Sequence, residues 1–74
     1  MQVRIIEPKK VIWEGSSKEV RLPAQDGEVC VLDFHQPFII RLRKGVVRCK
    51  NNRTAIKDGV AFMRHNELTL FVEE

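Results

Sequence analysis

The 74 residues leave room for a single domain, 1–74, and folding so short a chain buries only about 60–65% of its unfolded surface, so marginal stability is expected. Thirteen Lys and Arg against ten Asp and Glu give a formal net charge of +3, which favours anionic partners without naming one. No apolar run approaches the ~18–20 residues of a membrane-spanning helix, and no apolar signal segment opens the chain, so a soluble or peripheral protein of a reducing compartment is expected.

In chain order, short runs rich in Val, Ile, Phe and Thr are punctuated by Gly, Pro and Asn, and nothing sustains the helical period of about 3.6 residues. Strands are predicted near Val3 to Ile6, Val11 to Trp13, Lys18 to Leu22 and Glu28 to Leu32. Further strands are predicted near Phe38 to Arg43, Val46 to Lys50, Thr54 to Lys57, Val60 to Arg64 and Glu67 to Phe71. Turns fall at Glu7-Pro8, Glu14-Gly15, Asp26-Gly27, Lys44-Gly45, Asn51-Asn52, Asp58-Gly59 and His65-Asn66, the residues that accept turn geometry. Turn signals every ~8–12 residues describe an all-β sandwich or flattened barrel of about 9–10 short, mostly antiparallel strands. There is no repeat, linker or low-complexity segment.

Period-two alternation predicts the inward side chains: Val3 and Ile5, Val20 and Leu22, Phe38, Ile40 and Leu42, and Leu68 and Leu70, with Arg4, Arg21 and Arg41 opposite. Two strands depart from it. Ile39 accompanies Phe38 and Ile40, and Val60-Ala61-Phe62-Met63 is apolar on both faces. Either these strands sit at a corner where both faces are covered, or their outer side docks another protein.

Chemistry-bearing patterns are sparse. Cys30 and Cys49 could form one bridge at most and are expected as free thiols. His35 and His65 lie 30 residues apart with no ligand set around either, so no metal site is expected. No nucleophile sits in a strained elbow or beside a base, and the four glycines are isolated from one another, so neither catalysis nor nucleotide binding is expected, and no cofactor. A small basic β-barrel can bind single-stranded nucleic acid by stacking bases on aromatics. Here the set is Trp13, Phe34, Phe38, Phe62 and Phe71, with Phe38 and Phe62 on expected core faces. Phe34 either folds back on the sandwich or touches a partner.

The order Leu22-Pro23-x-x-x-Gly27-Glu28, then Val31-Leu32, His35-x-Pro37 and Gly45-Val46-Val47-Arg48 resembles the N-terminal domain of the epsilon subunit of rotary F-type ATP synthases. The likeness extends from Val3-Arg4-Ile5-Ile6 and Lys10 to Gly15 through to Asn66-Glu67-Leu68-Thr69-Leu70. It implies a β-sandwich without catalytic residues in the central stalk, packed on the gamma subunit and resting on the polar loops of the c-ring. It also implies a peripheral location on the cytoplasmic side of an energy-transducing membrane, the bacterial inner membrane foremost. By the same resemblance Glu28 matches the acidic position facing the ring, His35 the histidine of the following loop, Glu7 a first-turn position near gamma and ring, and Gly45 the Gly that opens the next strand. Asp33, Phe34, Ile39 and Met63 complete the expected partner contacts. The Glu28 carboxylate suits orientation more than affinity, since exposed ion pairs are worth only about 0–1 kcal/mol, while His35 serves either as a proton switch or as a structural loop residue.

Three departures stand out. Cys30-Val31-Leu32-Asp33-Phe34-His35 replaces a family Gly-Val-Leu-Pro-Gly-His, so Cys30 and Phe34 are expected to do without the positive φ that glycine allows, reshaping the loop. Lys57-Asp58-Gly59 replaces a Ser-Gly-Gly-like turn, for which a type I′ Asp-Gly pair is expected. The family's C-terminal helical hairpin has no counterpart before Glu74. A diverged relative serving another assembly is the remaining alternative.

Overall fold

Alternating apolar and polar residues, interrupted at Pro, Gly and Asn, fold into nine strands in the computed structural model, which describes residues 1–74. They are β1 (Gln2–Glu7), β2 (Lys10–Ser16), β3 (Glu19–Ala24), β4 (Gly27–Leu32), β5 (Phe38–Leu42), β6 (Gly45–Cys49), β7 (Asn52–Ile56), β8 (Asp58–Arg64) and β9 (Glu67–Glu73). Each expected strand is present, and there is no helix.

The strands form one continuous sheet ordered β2-β1-β9-β8-β5-β3-β6-β7, with β4 on the other edge of β3. Every pair is antiparallel except β1 with β9, which runs parallel from Gln2 opposite Glu67 to Ile6 opposite Phe71. The seam is β3, which meets β5 only at Ala24 opposite Leu42 and β6 at Val20 opposite Cys49 and Arg21 opposite Arg48. So little pairing there lets the sheet curl over and bring its inner sides into one core.

Val3, Ile5, Val20, Leu22, Leu42, Leu68 and Leu70 are buried as alternation predicts, joined by Val31, Val47 and Met63, each burial worth about 1.5–3 kcal/mol. Phe38 and Ile40 are only half-buried and pack on the core's margin. Arg4, Arg21 and Arg41 face outward, and no buried side-chain polar atom lacks a partner.

Two expected turns are absent. Strand β2 runs straight through Glu14-Gly15, and Gly15 is needed because the Trp13 ring lies on it: a Cβ there would sit 2.8 Å from the ring. Asp58-Gly59 belongs to β8, and its φ values are not positive, so no type I′ turn forms. A Cβ on Gly59 would come within 2.7 Å of the Phe71 carbonyl oxygen, so the glycine is required by close strand approach. Elsewhere the central pair lies one residue from its expected place, at Pro8-Lys9, Gln25-Asp26 and Lys50-Asn51, and Arg43-Lys44 precedes Gly45. Turn residues flank or fill such sites almost equally well, which leaves the register to the core. At His65-Asn66 the turn falls as predicted, with φ of 52° and 56° as a type I′ hairpin requires.

Candidate functional site

The loop from Asp33 to Pro37 between β4 and β5 is braced on every side. The Asp33 carboxylate pairs with the Met1 ammonium group, which also donates to the Ser17 carbonyl at 2.8 Å, and the Asp33 N–H donates to the Lys18 carbonyl at 3.0 Å. The Phe34 N–H donates to Asn66 Oδ1 at 2.7 Å, and the His35 N–H donates to the Leu32 carbonyl at 3.2 Å. The His35 ring sits edge-on to Phe38 with centroids 5.2 Å apart and Nδ1 2.9 Å from the Gln36 carbonyl.

Phe34 therefore does what its sequence position argued against. It takes φ = 61° without being glycine, held there by Asn66, and its side chain does not fold back but stands 81% exposed. Cys30, by contrast, needs no unusual backbone, because it lies within β4.

Glu28 lies at the opposite end of β4, about 17 Å from Asp33 at ~3.3 Å per residue. It is exposed and lies 3.9 Å from Arg21, while Glu7 lies 3.9 Å from Lys10 across the β1–β2 turn. Arg41 lines both the groove beside Glu7 and the groove beside Glu28, so these two carboxylates share one side of the molecule. Asp33, Phe34 and His35 occupy another. These five expected contact residues thus form two groups rather than one.

A third surface emerges from strand pairing. Ile39 opposes Phe62, Val60 opposes Phe71, Phe71 runs beside Ile6, and Ile6 opposes Val11. These side chains point away from the core and form a continuous apolar stripe across β5, β8, β9, β1 and β2, with Ile39 69%, Val11 54%, Phe71 49% and Phe62 40% exposed. The Phe62 and Phe71 rings meet edge to face at 5.8 Å. Two ion pairs on neighbouring positions frame the stripe, Arg4 with Glu14 at 2.8 Å and Arg41 with Asp58 at 3.4 Å.

The doubly apolar strand β8 resolves into two roles: Ala61 and Met63 enter the core, while Phe62 faces outward. Met63, at 1% exposure, cannot touch a partner, and Phe62 is no core residue. Phe71 escapes sequence reasoning because it is the polar-phase neighbour of Leu68 and Leu70, and only the β8–β9 register brings it to Phe62. Asn66 is missed likewise, since its bond to Phe34 crosses 32 residues.

On the other outer face, the Glu19 carboxylate accepts from the Cys30 thiol at 3.3 Å and from Arg21 Nε at 3.2 Å. These bonds, the thiol's first, hold Glu19 below the usual carboxylate range, and the carboxylate in turn holds the Cys30 thiol above its ordinary value. Burial pushes the Cys49 thiol up. Phe62 and Phe71 lie on the apolar face and Phe34 on the β4–β5 loop; of the aromatics only Trp13, its ring laid on Gly15, borders Lys50 and Arg53.

Comparison with known proteins gives a consistent answer. Residues 1–74 match the family described as ATP synthase, delta/epsilon chain, beta-sandwich domain. The chain is 36% identical to the ATP synthase epsilon chain of Thermosynechococcus vestitus over 76 residues, covering 97% of this chain and 55% of that one. It is also 36% identical to the chloroplastic ATP synthase epsilon chain of Tetradesmus obliquus, covering 100% of this chain and 57% of the relative. It thus spans little more than half the length of the curated relatives it matches. Its fold is similar to a chain in the Euglena gracilis mitochondrial ATP synthase structure of OSCP, F1 and c-ring, with TM-score 0.85, 15% identity and coverage of 97% and 49%. A chain in the Tetrahymena thermophila central stalk and c-ring structure gives TM-score 0.78 at 14% identity, covering 99% and 63%.

Proposed function

Because the chain belongs to the delta/epsilon β-sandwich family of ATP synthase, we propose that it is a non-catalytic docking domain of the central stalk that binds the gamma subunit and meets the polar loops of the c-ring. In this reading it transmits rotation by shape and contact, peripheral to the membrane on the side that carries the catalytic head. The relatives from Thermosynechococcus vestitus and Tetradesmus obliquus are chains of an enzyme complex, which supports a coupling role without assigning chemistry to this chain.

The observation that carries the proposal is the apolar stripe of Ile39, Phe62 and Phe71 on an outer sheet face. A small domain gains from covering such area, and the flanking pairs Arg4–Glu14 and Arg41–Asp58 supply the polar rim that fixes orientation. Gamma is assigned to this stripe, with Phe34 as an added anchor from the braced loop. The c-ring is assigned to the side carrying Glu28 and Glu7, whose carboxylates can accept hydrogen bonds from the polar loops. A rigid support for Phe34 lowers the ordering cost of contact.

The test is co-elution of the 74-residue chain with purified gamma on a sizing column at micromolar concentration. A joint peak is expected, and Ile39→Asp with Phe62→Asp should abolish it while leaving the circular dichroism of the free chain unchanged. Two independent peaks with the unaltered chain would overturn the proposal.

A further inference from the structure

The second outer face, formed by β4, β3, β6 and β7, has a different chemistry. Arg21 opposes Arg48 across the β3–β6 pair, and Arg48 opposes Arg53 across β6–β7, so three guanidinium groups stand side by side on adjacent strands. All three are exposed, because their neighbours Val20, Leu22, Val47, Cys49 and Thr54 turn inward. Like charges directly opposite each other destabilise a sheet, and a chain with a net charge of only +3 has no statistical need to stack them.

Internal carboxylates relieve only the Arg21 end of the row. Arg21 has Glu19 at 3.2 Å and Glu28 at 3.9 Å, but Arg48 and Arg53 form no ion pair, and neither do Lys18 and Lys50, which line the same cleft. The cleft is an open depression of about 690 Å³, and its only carboxylates, Glu19 and Asp33, are already engaged by Arg21 and the Met1 ammonium group.

We propose that this face is a binding site for an oligophosphate anion held by Arg48 and Arg53, with Lys18 and Lys50 as flanking cations. Planar guanidinium forks take phosphate oxygens in pairs, and the rigid strands present them without a loop to order first. The spacing argues for phosphate over an acidic peptide. Neighbouring strands lie ~4.8 Å apart, whereas an extended peptide offers same-face carboxylates only every ~6.6 Å. A densely charged anion matches the row better. The inference stands on this face alone, independently of whether the apolar stripe binds gamma.

Inorganic tripolyphosphate, titrated against the 74-residue chain at constant ionic strength and followed by calorimetry and amide NMR shifts, tests the site. Saturable binding is expected with shifts confined to β3, β6 and β7, and Arg48→Gln with Arg53→Gln should weaken it on the order of a hundredfold, tenfold per lost charged partner. Lys44→Gln with Arg64→Gln, which removes the same charge elsewhere, should leave it unchanged. Without anion the Arg48→Gln, Arg53→Gln double variant should melt higher than the parent, since it relieves the repulsion, so its loss of binding is not loss of fold. Phosphatidylcholine vesicles doped with phosphatidylglycerol distinguish the ligand: binding to vesicles alone, without tripolyphosphate binding, would overturn the proposal, since that lipid headgroup carries a single phosphate. No saturable binding to either probe would overturn the proposal. So would equal loss in the two double variants, or tighter binding of a polyglutamate peptide.

Discussion

At the scale of single residues, the two thiols differ by environment. Cys30 is exposed but hydrogen-bonded to the Glu19 carboxylate, which favours the protonated thiol, while Cys49 is sealed in the core. Alkylation by iodoacetamide needs the thiolate. One slow thiol is therefore expected to react in the folded protein, Glu19→Gln should speed it, and Cys49 should react only on unfolding, as counted by mass spectrometry. Equal reaction of both thiols in the native state would contradict the burial of Cys49. The linkage has a definite sign. A thiol raised by folding stabilises the fold below its ordinary pKa, and that contribution vanishes as pH rises through the folded value. The lowered Glu19 stabilises above the ordinary carboxylate pKa and ceases to do so as pH falls through its folded value, a small effect at a fully exposed site.

At the scale of the element, β8 separates stability from recognition within consecutive residues. Met63 is buried, and Met63→Ala should cost about 2–5 kcal/mol, lowering the melting temperature sharply in a chain of this size. Phe62→Ala removes a half-exposed ring and should cost far less, while weakening gamma binding more than Met63→Ala does when both are measured well below the melting point. The reverse ordering, read by calorimetry and by the sizing column, would mean that the strand's faces are exchanged. The strand's existence was legible in Val60-Ala61-Phe62-Met63, but its double apolar character left corner and docking face as equal alternatives. Only its pairing with Ile39 on one side and Thr69 and Phe71 on the other shows which half is covered.

Taken whole, the molecule presents two outer faces of opposite character, an apolar stripe and a cationic row, on either side of one core. Their responses to salt should diverge. Binding of gamma to the stripe is expected to change little between low and physiological salt, because apolar burial is not screened. Oligophosphate binding to the arginine row should fall steeply over the same range, as log K against log salt. Parallel titrations measure both slopes, and a steep slope for gamma would mean that the docking surface had been placed on the wrong side.

The sequence by itself determined the all-β class, the nine strands and most of the core, because period-two burial and turn chemistry are local properties, and the order of its motifs carried the family resemblance. It did not determine which strands would be neighbours. The curl of the sheet at β3, the support of Phe34 by Asn66 and the alignment of Arg21, Arg48 and Arg53 all arise from pairings between residues distant in the chain. Those pairings are selected jointly by the burial of one shared core, so they exist only once the whole sheet has closed.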